Sequence, residues 1–156
     1  MKRCTFFLMV FVLILSASAG GGAMASEVES ISDVVDYLDI SPHASQFLAS
    51  YGATARRASS GVLTITFIVD ATTRFERVGV LTIAIQQRNG NTWRNVATFA
   101  HSTARDMMGQ NVWGHDGTVT HNGIAGMEYR ATVVFFAGHV SGGGGQRTVV
   151  TSSVTL

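Results

Sequence analysis

Apolar and polar residues alternate with a period of two from Gly61 onward, which is typical of β-strands with one buried face. The first such strand, within GVLTITFIVDATT, is predicted to bury its alternating apolar side chains: Leu63, Ile65, Phe67 and Val69. A second alternation leads to Asn89-Gly90, a dipeptide favoured in two-residue hairpin turns. The return strand carries Trp93, Asn95, Ala97 and Phe99 on one face, so a β-hairpin is predicted here.

The remaining chain continues the strand pattern less regularly. In STARDMMGQNVWGHDG we expect loops around a short strand near Val112, followed by another short strand in TVTHNG. MEYRATVVFFAGHV predicts a strand that is apolar on both faces, SGGGGQ predicts a flexible turn, and RTVVTSSVTL predicts the last strand. About seven strands with frequent turn signals, and no helical periodicity after Pro42, indicate an all-β fold of the two-sheet β-sandwich type spanning residues 45–156.

The N-terminus has the layout of a secretory signal peptide. Lys2 and Arg3 precede the apolar run Thr5–Leu15, and small residues follow. Cleavage is predicted after Ala25, with Ala19 as the alternative, which makes residues 1–25 a leader, expected to be a signal-peptide helix, and the protein secreted. The apolar run is too short for a membrane span, which needs about 20 residues, and no membrane association is expected after cleavage.

An acidic arm, residues 26–44, follows the leader. Apolar residues recur in it at helical spacing, between five carboxylates: Glu27, Glu29, Asp33, Asp36 and Asp39. The arm is interpreted either as an amphipathic helix that docks on a partner or as a frayed terminal segment.

Composition narrows the possible functions. The single cysteine, Cys4, lies in the leader, so no disulfide is expected after cleavage. Loss of Lys2 and Arg3 leaves 9 cations against 10 acids, a net charge of −1, which argues against a nucleic-acid partner.

Two stretches resemble fibronectin type III domains. IAIQQRNGNTWRNVATF resembles their C–C′ hairpin, and GIAGMEYRATVVFFA resembles their strand F. The resemblance covers about residues 61–156 and implies an immunoglobulin-like sandwich in which the Tyr129 hydroxyl bonds to nearby backbone and holds a corner. The tryptophan usual on strand B has no counterpart, since Phe67 is the only aromatic residue in GVLTITFIVD, and the proline-rich entry is missing.

The whole chain is also similar in layout to a family of small secreted proteins of unknown function from Gram-positive, clostridia-like bacteria. The shared features are the leader, SPHASQFLASYGA, ERVGV, a tryptophan after a hairpin turn, G-x-x-YRA and a terminal T-S-S-V-T. This resemblance implies export and fold, and it implies no activity.

Candidate functional residues cluster in one region. Trp113 lies between Met107-Met108 and the pair His115-Asp116, and it is interpreted either as a ligand-stacking residue or as part of the core. Trp93 is expected to pack on the sheet. A hydrolase would need at least two converging groups among His115, Asp116, His121 and Glu128, and no catalytic, metal or cofactor motif is recognisable.

The pattern therefore favours a secreted, non-catalytic β-sandwich that binds an unknown protein or glycan ligand. Two other functions remain open at this point. One is a secreted hydrolase whose site the sequence does not reveal, and the other is a structural or self-assembling extracellular protein, which the Thr/Val-rich strands and low charge suggest.

Overall fold

The computed structural model describes residues 45–104 and 106–156 of the 156-residue chain. The predicted leader helix and the acidic arm lie outside these residues. The described part is all-β and contains seven strands: β1 Leu48–Ser59, β2 Val62–Asn89, β3 Thr92–Ala100, β4 Met108–Asn122, β5 Glu128–Gly138, β6 Gly144–Val150 and β7 Val154–Thr155. Every strand pair in it is antiparallel.

Strand β2 organises the fold because it is 28 residues long and pairs with four other strands. Its first half pairs with β1 on one edge and β4 on the other. Its second half pairs with β5 and β3, and β5 in turn pairs with β6 and β7. The sheet is strongly curled, so both halves of β2 contribute to one core.

The bend in β2 follows from irregularities in its pairing. The register with β4 shifts between Asp70 and Phe75, and the register with β5 shifts between Val80 and Thr82. An extra residue in one strand reverses which side chains face inward and increases the local twist. Across the second shift the buried positions accordingly change from even numbers, Val78 and Val80, to odd numbers, Ile83 and Ile85.

The core joins the two halves of β2 through large apolar side chains. Those predicted from the first strand, Leu63, Ile65, Phe67 and Val69, are fully buried, as are Ile83 and Ile85 from the second. The rings of Tyr51 on β1 and Phe135 on β5 lie 5.5 Å apart between centroids and connect the halves directly. Burial of each such side chain contributes about 1.5–3 kcal/mol.

Several strand predictions need correction. Strand β6 begins at Gly144, inside the predicted turn SGGGGQ, and RTVVTSSVTL contributes to two strands, β6 and β7, instead of one. The alternation predicts strands only from Gly61, yet β1 begins at Leu48, where the sequence QFLASYGATA is rich in alanine and glycine and lacks a marked alternation. The two predicted strands between Gly61 and Asn89 are one continuous strand. The predicted loops and short strands between residues 108 and 122 also form one strand, β4, because β2 pairs along nearly its whole length.

Tyr129 lies at the start of β5 and is 2% exposed. Its hydroxyl accepts a hydrogen bond of 2.8 Å from the backbone N–H of Ile124, which is the kind of backbone contact that the corner interpretation requires. A Cβ on Gly123 would lie 2.8 Å from Cζ of Tyr129 and 2.7 Å from Cδ1 of Leu156. Glycine at position 123 therefore lets the turn pack on the ring and on the chain terminus.

Candidate functional site

Trp113 is on strand β4 and its side chain is 59% exposed. The adjacent Val112 packs against the core opposite Phe75, and Trp113 lies where the register with β2 shifts, between the pairs Phe75–Val112 and Asp70–Gly114. The expectation of a glycine-flanked loop is wrong, because Gly114 is paired with Asp70 in the sheet. The alternative interpretation of Trp113 as a core residue is also wrong.

Polar depressions lie next to the start of β4, on either side of Arg77. Each has a volume of about 340 Å³. One is lined by Glu76, Arg77, Gln110, Asn111 and Val140. The other is lined by Arg77, His101, Ala104, Asp106, Met108 and Gln110. Trp113 lines neither depression and follows Gln110 by three residues and Asn111 by two on the same strand. We call Trp113 together with Arg77, Asp106, Gln110 and Asn111 the Trp113 surface.

Two residues of the Trp113 surface have unusual backbone geometry. Asp106 has φ of 65° and Asn111 has φ of 54°. Asp and Asn tolerate this left-handed region better than other non-glycine residues, though at an energetic cost. Strain of this kind persists where the surrounding structure enforces it and is frequent at functional sites. The two residues therefore mark the Trp113 surface as locally constrained.

His115 helps to hold that surface from behind. Its ring lies 6.0 Å from the ring of Phe67, and its Nε2 is 2.9 Å from the carbonyl oxygen of Asp106. Because a carbonyl can only accept, Nε2 carries the proton and donates. A Cβ on Gly109 would lie 3.1 Å from Nδ1, so the strand backbone also packs on the ring. His115 is a support for the Asp106 turn rather than part of its outer face.

The other sequence candidates do not join this site. Asp116 is exposed and, as the strand neighbour of His115, lies on the opposite face of β4. His121 is six residues beyond His115 on the same strand, a separation of about 20 Å at about 3.3 Å per residue. Partial burial lowers the pKa of His121, whose ring lies 6.1 Å from that of Tyr129.

Glu128 belongs to a separate polar network at the start of β5. It accepts hydrogen bonds from the hydroxyl of Ser153 and, at 3.0 Å, from Nη1 of Arg88. The Ser153 hydrogen bond and then the Arg88 guanidinium hold the pKa of Glu128 below its ordinary value. The four groups considered for hydrolysis are thus distributed over different parts of the protein. Within residues 45–104 and 106–156, no three His, Cys, Asp or Glu side chains are grouped to hold a metal ion.

Trp93 differs from Trp113 because cationic side chains cover its ring. The guanidinium carbon of Arg130 lies 4.3 Å from the ring centroid and that of Arg88 lies 5.9 Å away. Arg130 is fixed by a 2.8 Å hydrogen bond to Gln86. The prediction that Trp93 packs on the sheet is confirmed, whereas the two arginines that pack on it could not be inferred from the sequence pattern.

Sequence reasoning also missed a groove between β1 and the C-terminal segment. Its volume is about 600 Å³, and its lining residues are Ala53, Thr54, Ala55, Arg56, Arg57, Ser152, Ser153 and Val154. The doublet Arg56-Arg57 was the one available signal. The sequence shows which residues are cationic, but only the curl of the sheet brings β1 next to the chain terminus.

The sequence matches no protein-family model and no curated protein. The described residues include no helix that could cross a membrane.

Proposed function

We propose that the protein is a secreted binding protein with an immunoglobulin-like β-sandwich fold, and that it recognises a neutral glycan through the Trp113 surface. The observation that carries this proposal is the 59% exposure of Trp113 on strand β4. A large indole held on a strand presents its face to ligand with little loss of conformational entropy. Sugar rings offer an apolar face that matches it.

The polar groups of the Trp113 surface suit a ligand rich in hydroxyls. Gln110 and Asn111 each provide a donor and an acceptor from one amide group, and Arg77 adds a planar fork of donors. The carboxylate of Asp106 supplies acceptors and balances the charge of Arg77. This balance favours a neutral glycan over a polyanionic one, since a polyanion would select an excess of cations.

The sandwich assignment rests on three features. Core-facing side chains from both halves of β2 meet in one cluster, a hairpin joins β2 and β3 with Gly90-Asn91 as its turn, one residue beyond the predicted Asn89-Gly90, and the Tyr129 hydroxyl is bonded to backbone. The participation of β2 in both halves departs from the simplest sandwich, in which each strand belongs to one sheet. Secretion rests on the leader-like sequence of residues 1–25.

Binding is favoured over hydrolysis by the arrangement of the titratable groups. His115 turns inward, Asp116 faces the opposite side, and Glu128 is engaged by Arg88 and Ser153. A general acid and a base or nucleophile must reach the same substrate atoms. These residues do not meet that requirement.

Co-sedimentation with insoluble neutral polysaccharides such as cellulose, chitin and starch tests the proposal. Wild-type protein is expected to bind at least one of them, and Trp113→Ala is expected to weaken that binding at least about tenfold, the scale of a central aromatic contact. Ile124→Ala is the matched control, because Ile124 is an equally exposed apolar residue at 63% but lies beyond the other end of β4. Absence of binding by the wild type, or equal losses in both variants, would contradict the proposal.

A further inference from the structure

The groove beside β1 runs along an edge of that strand. It is lined by the consecutive residues Ala53–Arg57, and consecutive residues of a strand point to opposite faces. A depression that contacts all of them must therefore run along the edge of the strand. Among the residues described, β1 forms a strand ladder with β2 alone, so its other edge lies toward this groove.

The opposite wall of the groove is the chain terminus. Ser152, Ser153 and Val154 line it, next to the short strand β7. The curl of the sheet brings β1 near β7 without a strand ladder between them. Such a seam can accept an extended or helical segment, with backbone groups and hydroxyls available on both sides.

The charge of the groove is positive. Arg56 and Arg57 are both exposed and line it, and no acidic residue does. Glu128, the acidic residue nearest in the bonding network, is already paired with Arg88 and Ser153. A segment that enters the groove is therefore favoured if it carries carboxylates.

The chain itself supplies such a segment. Residues 26–44 contain five acids and no Lys or Arg, a net charge of −5, whereas residues 45–156 contain nine arginines and five acids, a net charge of +4. The acidic residues alternate with apolar ones, Val28, Ile31, Val35 and Leu38, which match the apolar lining provided by Ala53, Ala55 and Val154.

Chain length permits the contact. Arg56 is eight residues along β1 from Leu48, a distance of about 27 Å, whereas the 19 residues 26–44 can span up to about 60 Å when extended. The segment joins the domain directly before Ser45, so its binding to the groove is intramolecular and is favoured over binding of a separate chain. We propose that the groove between β1 and the C-terminal segment binds the acidic residues 26–44 of the same chain.

Paramagnetic broadening in NMR spectra of the full chain tests this proposal. A nitroxide is attached through Ser32→Cys in a Cys4→Ser background, which leaves all five acids in place. Amide signals of Ala53–Arg57 and Ser152–Val154 are expected to lose the most intensity. The double variant Arg56→Gln, Arg57→Gln is expected to restore the intensity of these signals. The control Arg74→Gln, Arg94→Gln removes the same charge from exposed positions outside the groove, and the broadening is expected to persist in it.

A salt titration provides a test that needs no arginine variant. Raising the salt from about 0.01 M to about 1 M shortens the Debye length from about 30 Å to about 3 Å, so the broadening is expected to diminish. Unbroadened groove signals at low salt, or broadening that the groove arginines do not affect, would overturn the proposal. A mixture of isotope-labelled chains without a nitroxide and unlabelled chains with one detects contacts between two copies. Broadening of the groove signals that arises wholly from such contacts would overturn the proposal too, because the occupant would then be a second copy.

Discussion

Removal of one hydroxyl group by Tyr129→Phe tests the physical account of the fold. The ring is 2% exposed, and its hydroxyl accepts the 2.8 Å hydrogen bond from the Ile124 N–H. Phe keeps the packing of the ring against Gly123 and Leu156 and removes the acceptor alone. The perturbation is therefore close to the deletion of a single hydrogen bond.

The size of the effect follows from where the donor lies. A typical intramolecular hydrogen bond contributes about 1 kcal/mol, and an unsatisfied buried donor costs about 1–3 kcal/mol. Since the Ile124 side chain is 63% exposed, water can reach this turn and partly replace the hydroxyl. We therefore expect a loss of about 1–2 kcal/mol in the free energy of unfolding, or about 3–5 °C in Tm for each kcal/mol in a domain of this size.

Chemical denaturation at equilibrium and calorimetry provide the assay. Tyr51→Phe is the matched control, because Tyr51 is 3% exposed and, among the described residues, nothing hydrogen-bonds to its hydroxyl. The control is expected to change stability by less than about 0.5 kcal/mol. An unchanged unfolding midpoint in Tyr129→Phe, or an equal loss in both variants, would refute the assignment of Tyr129 as a structural corner.

Three further predictions concern packing and protonation. Gly79→Ala is expected to lower the free energy of unfolding by at least about 2–3 kcal/mol, because the new Cβ would lie 2.3 Å from the backbone oxygen of Met107. Gly90→Ala is the control, since its Cβ would meet nothing within 4 Å, and it is expected to lose only about 1–2 kcal/mol because of its positive φ. Denaturation at equilibrium measures both. Phe135→Ala is expected to lower the free energy of unfolding by about 3–5 kcal/mol, because this fully buried ring joins the two halves of β2. A loss under about 1 kcal/mol would show that the two halves of β2 do not share a core. The folded-state pKa of His121 is below the ordinary value of 6.5, so the folded protein binds this proton less well than the unfolded chain and stability should fall as the pH drops below 6.5. The variant His121→Gln should lose less stability between pH 7 and pH 5, and parallel pH profiles by thermal unfolding would argue against this role.

The hydrophobic pattern predicted the part of the fold in which one face is buried and the other is polar. The first half of β2 satisfies this condition, and its inward residues Leu63, Ile65, Phe67 and Val69 were predicted correctly. In the β2–β3 hairpin, Ala97 and Phe99 pack against the core, but a register shift between Ile85 and Gln86 separates them from the exposed Asn95, so the prediction of one continuous face is wrong. Strand β1 escaped prediction because Ala53 and Gly52 are buried where larger apolar residues would normally mark the face. Strand β4 escaped because glycines at 109, 114 and 117 accommodate neighbouring side chains and backbone, whereas in sequence they resemble turn residues.

The candidate site could be predicted only in part for a similar reason. Trp113 was identified from its residue type and its polar neighbours, but its exposure depends on the register of β4 against β2. Arg77 and Asp106 come from other segments of the chain, and their proximity to Gln110 is a consequence of the curled sheet. His115 was selected for chemistry, yet the pairing of β4 turns it toward Phe67 and the Asp106 carbonyl.

Single-tryptophan fluorescence tests the central claim most directly, because the chain contains only Trp93 and Trp113. In Trp93→Phe, Trp113 alone reports, and titration with soluble neutral oligosaccharides is expected to change its emission intensity and wavelength as a sugar ring replaces water on the indole. In Trp113→Phe, the emission of Trp93, which Arg130 already covers, is expected to stay constant. Glycan binding at the Trp113 surface would be contradicted if no oligosaccharide changed the emission of Trp113. It would also be contradicted if oligosaccharides changed the emission of Trp93 alone.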